Sequence, residues 1–220
     1  MARPTAAFAD TPTLILDVAE RLVQTGGFNG FSYADIASEL GVTKASLHYH
    51  FATKAELGGQ LIARYRSAFL AALERINNDS ADAMAKLNAY AGIYADVLAH
   101  DRMCLCGMLA AEYATLPDAM QDGIRRFFDA NEAWLIEVLA SGRKKRQIAF
   151  EGPPVDVARV IVALLEGGVL VARSRRDAGQ FRTVARRMLS DLKVKAIAAR
   201  CRTPPRPVND AGLLAGSGVR

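Results

Sequence analysis

The chain has 220 residues, 51% of them hydrophobic, with 28 basic and 23 acidic side chains and a formal net charge of +5. That apolar fraction excludes a disordered polymer, and the abundance of Ala and Leu, with few β-branched runs and only 8 prolines, favours helices over a β-sandwich. No window approaches the ~18 uncharged apolar residues of a membrane span, MARPTAAFADTPTL lacks the basic-then-apolar order of a secretory leader, and 3 cysteines are too few for a disulfide framework. The expectation is a protein of the reducing cytoplasm with no membrane partner.

Taken in chain order, helical periodicity recurs almost everywhere. Leu14, Val18, Leu22 and Thr25 trace a first helix that stops at Gly26-Gly27. Three segments follow, each opened by a capping residue: Ser32 before YADIASEL, Thr43 before KASLHYHF, and Thr53, which begins a T-x-x-E capping box with Glu56. A long helix is expected from about Lys54 to Ile76, then helices near 80–100, 105–114 and 117–141, the last begun by Pro117. Beyond Gly152-Pro153-Pro154 two more are expected, near 155–175 and 178–200, and the Pro- and Gly-rich stretch after Arg202 reads as a disordered tail. The fold class is all-α, divided into 1–53, 54–202 and a tail of 203–220.

Residues 32–51 form a unit. A helix over 33–40 sets Ile36, Ala37 and Leu40 on one face, Gly41 supplies the left-handed residue of a sharp turn, and Val42 plugs the angle. Leu47 and Phe51, four apart, make the buried stripe of the next helix, and small Ala37 lets the two helices cross steeply. This is the pattern of a helix-turn-helix, which lays its second helix in the major groove of DNA. The close pair His48 and His50 invites a metal site, but side chains two apart on a helix point about 200° apart and cannot grip one ion. His48 shares a face instead with Lys44 and Ala45. A cation, a small residue and an imidazole suit a groove wall and its phosphates, and Thr43 adds a hydroxyl beside free backbone amides. Net charge does not place this surface: residues 1–60 hold 4 basic and 6 acidic side chains, 61–140 hold 7 and 11, and 141–220 hold 17 and 6.

The run GGFNGFSYADIASELGVTKASLHYHFATKAEL combines a glycine pair, an aromatic, Ser, D-I-A, L-G-V, Lys, Leu, Y-H-F and a Lys at the next helix start. In that order it resembles the DNA-binding domain of the tetracycline-repressor (TetR/AcrR) family of bacterial regulators, over about Thr11 to Leu61. The resemblance implies an N-terminal three-helix DNA-binding domain and a C-terminal helical bundle for ligand binding and dimerisation. It further implies a homodimer that represses from a palindromic double-stranded operator and is released by a small-molecule effector. Carried over by position, Lys44, Ala45 and Ser46 would face bases. Ser32, Tyr33, Thr43, His48, Tyr49, His50 and Lys54 would meet the DNA backbone, with Arg3 adding local positive charge. The family usually has a tyrosine where this chain has His48, so that contact is expected to be partly pH-sensitive. Ala34 and Ala45 offer no side-chain hydrogen bonds, so specificity is expected to lean on DNA shape.

In the C-terminal part, aromatic residues and methionines recur at helical spacing and suit either a core or an effector pocket. The expected pocket set is Phe69, Tyr94, Met103, Met108, Tyr113, Phe127 and Trp134, with Tyr90 and Phe128 nearby and Glu112 and His100 as the polar candidates. The segment ARVIVALLEGGVLVARS, 158–174, is apolar round much of its circumference and places Ala163, Gly167, Gly168 and Ala172 along one side. With FRTVARRMLSDLKV it resembles the helix pair through which this family dimerises, the arginines of 173–187 forming a solvated rim. His100 with Cys104 and Cys106 spells H-x3-C-x-C, at most three ligands for a zinc ion that usually wants four. Cys106 near a helix start could have a lowered pKa suited to redox sensing, and two buried apolar thiols are the plainer reading. A thiol-responsive regulator acting through Cys104 and Cys106 therefore stays open beside the effector-responsive one. No glycine-rich phosphate loop, nucleophile elbow or paired-carboxylate site is evident, so neither an enzyme, a cofactor nor a bound metal is expected.

Overall fold

The computed structural model describes residues 11–193; Arg3, Cys201, the expected tail and the end of the last expected helix lie outside the described residues. Among the described residues there are nine α-helices and one 3-10 turn, and the sole extended pairing is an antiparallel bridge between Ile148 and Lys193.

The first three helices are α1 (Thr11–Gly26), α2 (Tyr33–Leu40) and α3 (Lys44–His50). The buried stripe of α1 is Ile15, Val18, Ala19 and Val23, whereas Leu14, expected in it, is 37% exposed. The stripe is rotated because α1 is covered from two sides, by α2 and by α4 (Lys54–Asp79) with α6 (Leu105–Ala111). Ser32 caps α2 in a reciprocal box with Asp35, and Gly41 ends it in the left-handed region at φ 66° and ψ 30°. The chain then reverses tightly enough for the Val42 amide to donate to the Ala37 carbonyl at 3.0 Å. Thr43 caps α3, and Leu47 and Phe51 drive it into the core formed with Ile36 and Ala37.

The 26 residues of α4 span about 39 Å at 1.5 Å per residue, enough to run from the helix-turn-helix through the C-terminal bundle. Its start is the expected capping box, the Glu56 amide donating to Thr53 Oγ1 at 3.0 Å, while the Glu56 carboxylate reaches back to the Ala52 amide at 3.0 Å. The bundle is completed by α5 (Ala83–Ala99), α6, α7 (Asp118–Lys144), α8 (Pro154–Ser174) and α9 (Ala178–Asp191). The helix expected over 105–114 stops at Ala111 and continues as the 3-10 turn Tyr113–Thr115. There Glu112 turns its carboxylate across to another segment, and Thr115 Oγ1 donates to the Glu112 carbonyl at 2.8 Å.

On α8 the four small residues do not share one side. Gly168 and Ala172 face inward, where a Cβ on Gly168 would meet Phe181 of α9 at 3.3 Å. Ala163 and Gly167 face outward, among Val160, Leu164, Leu170 and Val171, which stay exposed.

Candidate nucleic-acid interface and effector site

The outer face of α3 is the candidate interface. Lys44, Ala45, His48 and Tyr49 are exposed opposite the buried Leu47, and Tyr49 is 86% exposed, unusual for so large a ring. Ser46 and His50 are half-buried at its edges, and the His50 ring stands edge-on to Tyr49 at 5.1 Å. Thr43 Oγ1 accepts from the Ser46 amide at 3.2 Å, which leaves its proton free to donate outward. His48 is held on its inner side: its ring lies 4.7 Å from that of Tyr33, and Nδ1 is 3.1 Å from the Ala52 carbonyl oxygen.

Three residues expected at the DNA backbone are placed otherwise. Tyr33 is buried, its hydroxyl donating to the Phe51 carbonyl at 2.9 Å, and burial, with Glu56 adding, pushes that phenol up to about 12. Lys54 directs its ammonium at the carbonyls of Phe28 and Phe31 and over both their rings, 4.6 and 4.3 Å from the centroids. That group ties α4 to the loop between α1 and α2 and is not free for phosphate. The Ser32 hydroxyl is consumed by its capping box, donating to Asp35 at 2.8 Å and accepting from the Ala34 amide at 3.2 Å. Bonding to the Ser32 amide and hydroxyl keeps the Asp35 carboxyl below its usual range, so a negative charge flanks Ser32 as well.

A seam joins this domain to the bundle. The carbonyl of Gln24 accepts from the Met103 amide at 3.0 Å and that of Thr25 from Arg173 of α8 at 2.9 Å. The Glu112 carboxylate accepts from the amides of Phe28 and Asn29 at 2.6 and 3.2 Å, and Asn29 donates to Thr115 Oγ1 at 2.8 Å. Glu112 is therefore a fastener between domains, which removes it from the expected pocket. The reason is charge: the loop after α1 offers two free amides that an apolar core does not. His100 is exposed, with Nδ1 2.8 Å from the Asp96 carbonyl oxygen, and lines the edge of a cleft between α1, α4 and α5.

The remaining expected pocket residues scatter. Phe69, Tyr94, Phe127 and Trp134 are buried in one aromatic cluster with Tyr65 and Tyr90, and the Trp134 ring stacks on Tyr90 at 5.5 Å. Tyr113 is half-buried and its hydroxyl accepts from Arg125 on the surface; Met108 is half-buried at the core edge. Met103 is buried and lines a surface cleft of about 600 Å³ with Leu98, Leu170 and Arg173. A second cleft of about 660 Å³ opens between α1, α4 and α5, bedded on Tyr65, Ala68, Phe69, Ile93 and Val97 and rimmed by Glu20, Arg64, Asp96 and Arg102.

Sequence reasoning missed Asn131 and Glu166. Asn131 is buried and bridges two phenols, accepting from Tyr90 at 2.7 Å and donating to Tyr94 at 3.2 Å. Glu166 of α8 turns both carboxylate oxygens inward, out of contact with water, although its stem is partly exposed. Its one sequence signal was a single acid in the otherwise apolar run 160–172 of α8. The two cysteines are buried beside it. Burial first, and then the nearby Glu166, push both thiols upward, opposite to the activation expected from a helix start. Among the described residues, no group of three or more His, Cys, Asp and Glu side chains is placed to hold a metal ion, and no helix is long and apolar enough to cross a membrane.

An all-helical chain that presents an exposed recognition face on a helix-turn-helix and joins it to a separate helical bundle is a DNA-binding transcriptional regulator. Residues 15–60 match the family model of bacterial regulatory proteins of the tetR family, and residues 80–187 match that of the C-terminal domain of LmrA/YxaF-like transcriptional regulators. A TetR-family transcriptional regulator from Agrobacterium tumefaciens is 31% identical, with a TM-score of 0.81 over 83% of this chain and 97% of that one. A TetR transcriptional regulator from Legionella pneumophila is 30% identical, with a TM-score of 0.77 over 86% of this chain and 100% of that one. The HTH-type transcriptional repressor NemR of Escherichia coli is 26% identical over 175 residues, 76% of this chain and 86% of that protein. The chain belongs to the TetR family of bacterial regulatory proteins.

Proposed function

We propose that the protein represses transcription by binding a palindromic operator as a homodimer, and that a small molecule entering the C-terminal bundle releases it. The observation that carries the DNA-binding part is the outward face of α3, with Lys44, Ala45, His48 and Tyr49 exposed above a buried Leu47. Lys44 supplies the charge, Ala45 permits close approach, and Thr43, His48 and Tyr49 offer donors to phosphates. Ser46 lies where bases would be met. The relative NemR, a repressor by name, supports the sign of regulation. Dimerisation is supported by the exposed apolar strip of α8, which a second copy of the same helix would cover.

Release follows from the connections. α4 begins four residues after α3 ends and carries Tyr65 and Phe69 in the bundle, so a ligand that displaces those rings moves the same helix that fixes the recognition domain. The seam through Gln24, Thr25 and Glu112 transmits the displacement to α1. Two recognition helices fit successive major grooves only at one separation, so a shift in either domain lowers affinity. The test is to select operator fragments with the purified protein and titrate them in a gel-shift assay at fixed salt. Lys44→Ala combined with Tyr49→Ala is expected to weaken binding by about tenfold or more, the loss of two backbone or base contacts per half-site. Undiminished binding by that variant would defeat the assignment of the face.

A further inference from the structure

Among the described residues four buried side-chain polar atoms lack a hydrogen-bond partner: Gln24 Oε1, Trp134 Nε1 and both oxygens of Glu166. Glu166 is the costliest of these, because an unpaired carboxyl out of water loses hydration whether it holds its proton or not. It takes part in none of the ion pairs among the described residues. Its neighbourhood is nevertheless shaped to admit it. The carboxyl lies against the bare backbone of Gly107 on α6, where a Cβ would collide with Oε2. A residue with only a packing role at this place would be a leucine or methionine, and glycine at 107 would be unnecessary.

What surrounds Glu166 fixes the chemistry it can meet. It faces Tyr65, Tyr90 and Tyr94 from α4 and α5, and Cys104 and Cys106 from the start of α6. The hydroxyls of these tyrosines are already engaged, Tyr90 and Tyr94 with Asn131 and Tyr65 with the Cys104 sulfur at 3.7 Å. What remains is aromatic ring and a carboxyl whose one nearby donor, the Cys104 thiol, is weak and too poorly placed to make a hydrogen bond. Aromatic faces and an unpaired carboxylate both favour a positively charged nitrogen; an anion would be repelled, and a neutral donor would satisfy the oxygens without neutralising the charge. The way in is also present: the cleft of about 660 Å³ between α1, α4 and α5 has Tyr65 and Phe69 in its inner wall, and Tyr65 is the residue that touches Cys104. Gln24 sits in the same cleft with its own unpaired Oε1, a second acceptor along the path.

We propose that the effector is a lipophilic organic cation whose nitrogen pairs with Glu166 while its apolar body displaces Tyr65 and lies against Phe69 and Tyr94. The proposal rests on the effector-released reading given above. It places the ligand between α4, which leads to the recognition helix, and α6, whose end carries the Glu112 fastener.

Trp134, the only tryptophan in the chain, stacks on Tyr90 and reports the site by its fluorescence. The full chain is titrated with three probes that share one apolar body: 4-tert-butylbenzylammonium, 4-tert-butylbenzyl alcohol and 4-tert-butylbenzoate. The cation is expected to bind at least about tenfold tighter than the other two, one full charge pair in a partly dry site. Glu166→Gln, which keeps the shape, is expected to remove that preference without lowering the melting temperature. Gly107→Ala, which pushes the carboxyl aside, should weaken the cation while sparing the alcohol. Equal affinities for the three probes, absence of cation binding, or a preference that survives in Glu166→Gln would overturn the proposal. A gel shift with the same probes separates the two readings. A cation that binds through Glu166 yet leaves the operator complex intact supports the site and overturns its role as effector site. A neutral or anionic probe that releases the operator keeps the effector reading and overturns the cation.

Discussion

The carboxyl of Glu166 has a consequence for stability that does not depend on any ligand. Burial pushes its pKa from 4.5 up to about 7, with the weak donor of the Cys104 thiol pulling the other way. Between those values the folded chain holds a proton that the unfolded chain has released, so stability falls as pH rises through the window and levels off above it. A shift of that size corresponds to about 3 kcal/mol. Urea denaturation should therefore find Glu166→Gln close to the wild type near pH 4.5 and more stable by about 2–3 kcal/mol near pH 8. An offset that is the same at both pH values would show that the carboxyl does not titrate in this window. His48 is fixed by geometry: its Nδ1 donates to the Ala52 carbonyl at 3.1 Å, so Nε2 is the ring nitrogen turned outward. His48→Ala, which removes that edge of the face, is expected to weaken operator binding several-fold, and undiminished binding would remove His48 from the interface.

At the scale of elements, what the sequence made legible was whatever is decided within a turn or two of chain. Ser32, Thr43 and Thr53 mark helix starts because a hydroxyl caps amides two or three residues away, and Gly41 marks a helix end because its φ of 66° suits glycine. The end of α6 was not legible, since Glu112 is drawn to amides 84 and 83 positions distant in the chain. The rotated stripe of α1 and the split of the small residues of α8 have the same origin: periodicity identifies a face but not how many neighbours cover it. The Glu112 fastener predicts a local effect. Glu112→Ala leaves the Phe28 and Asn29 amides without their acceptor and should cost about 1–2 kcal/mol, less than a buried loss because Asn29 can turn to water. Hydrogen exchange should speed up in residues 27–31 and at the C-terminal end of α1 while the protection of α8 is retained. Uniform acceleration through the whole chain would mean that the seam has no separate existence.

At the scale of the whole molecule, the division into a recognition domain and a bundle was legible, and so was the outward face of α3, since a seven-residue helix with one buried leucine has few ways to lie. The interior of the bundle was not: Phe69, Tyr94, Phe127 and Trp134 fill a packed cluster, and the polar group that distinguishes this core lay hidden as one acid in an apolar run. The same run carries the contact proposed between two copies. Val160 and Leu170 are 55% and 57% exposed at the two ends of an outward strip that also holds Ala163, Leu164, Gly167 and Val171. A Cβ on Gly167 would meet no atom of its own chain, so the strip has room for the close approach of another helix. The outward residues of α9, Arg182, Arg186 and Arg187, are charged and exposed, so in the proposed dimer the apolar contact would fall on α8 with the arginines at its border. Placing a charge in the centre of the strip must then separate the copies before it disturbs the fold. Leu164→Glu is expected to sediment as a monomer at micromolar concentration with its helical circular dichroism and melting transition retained. Each recognition helix would then bind its half-site alone, and because the linkage between half-sites multiplies affinity by about a hundredfold or more, operator binding should fall by at least that factor while binding to an isolated half-site stays the same. A Leu164→Glu variant that remains dimeric, or a monomer that binds the full operator undiminished, would place the two-fold contact elsewhere than on α8.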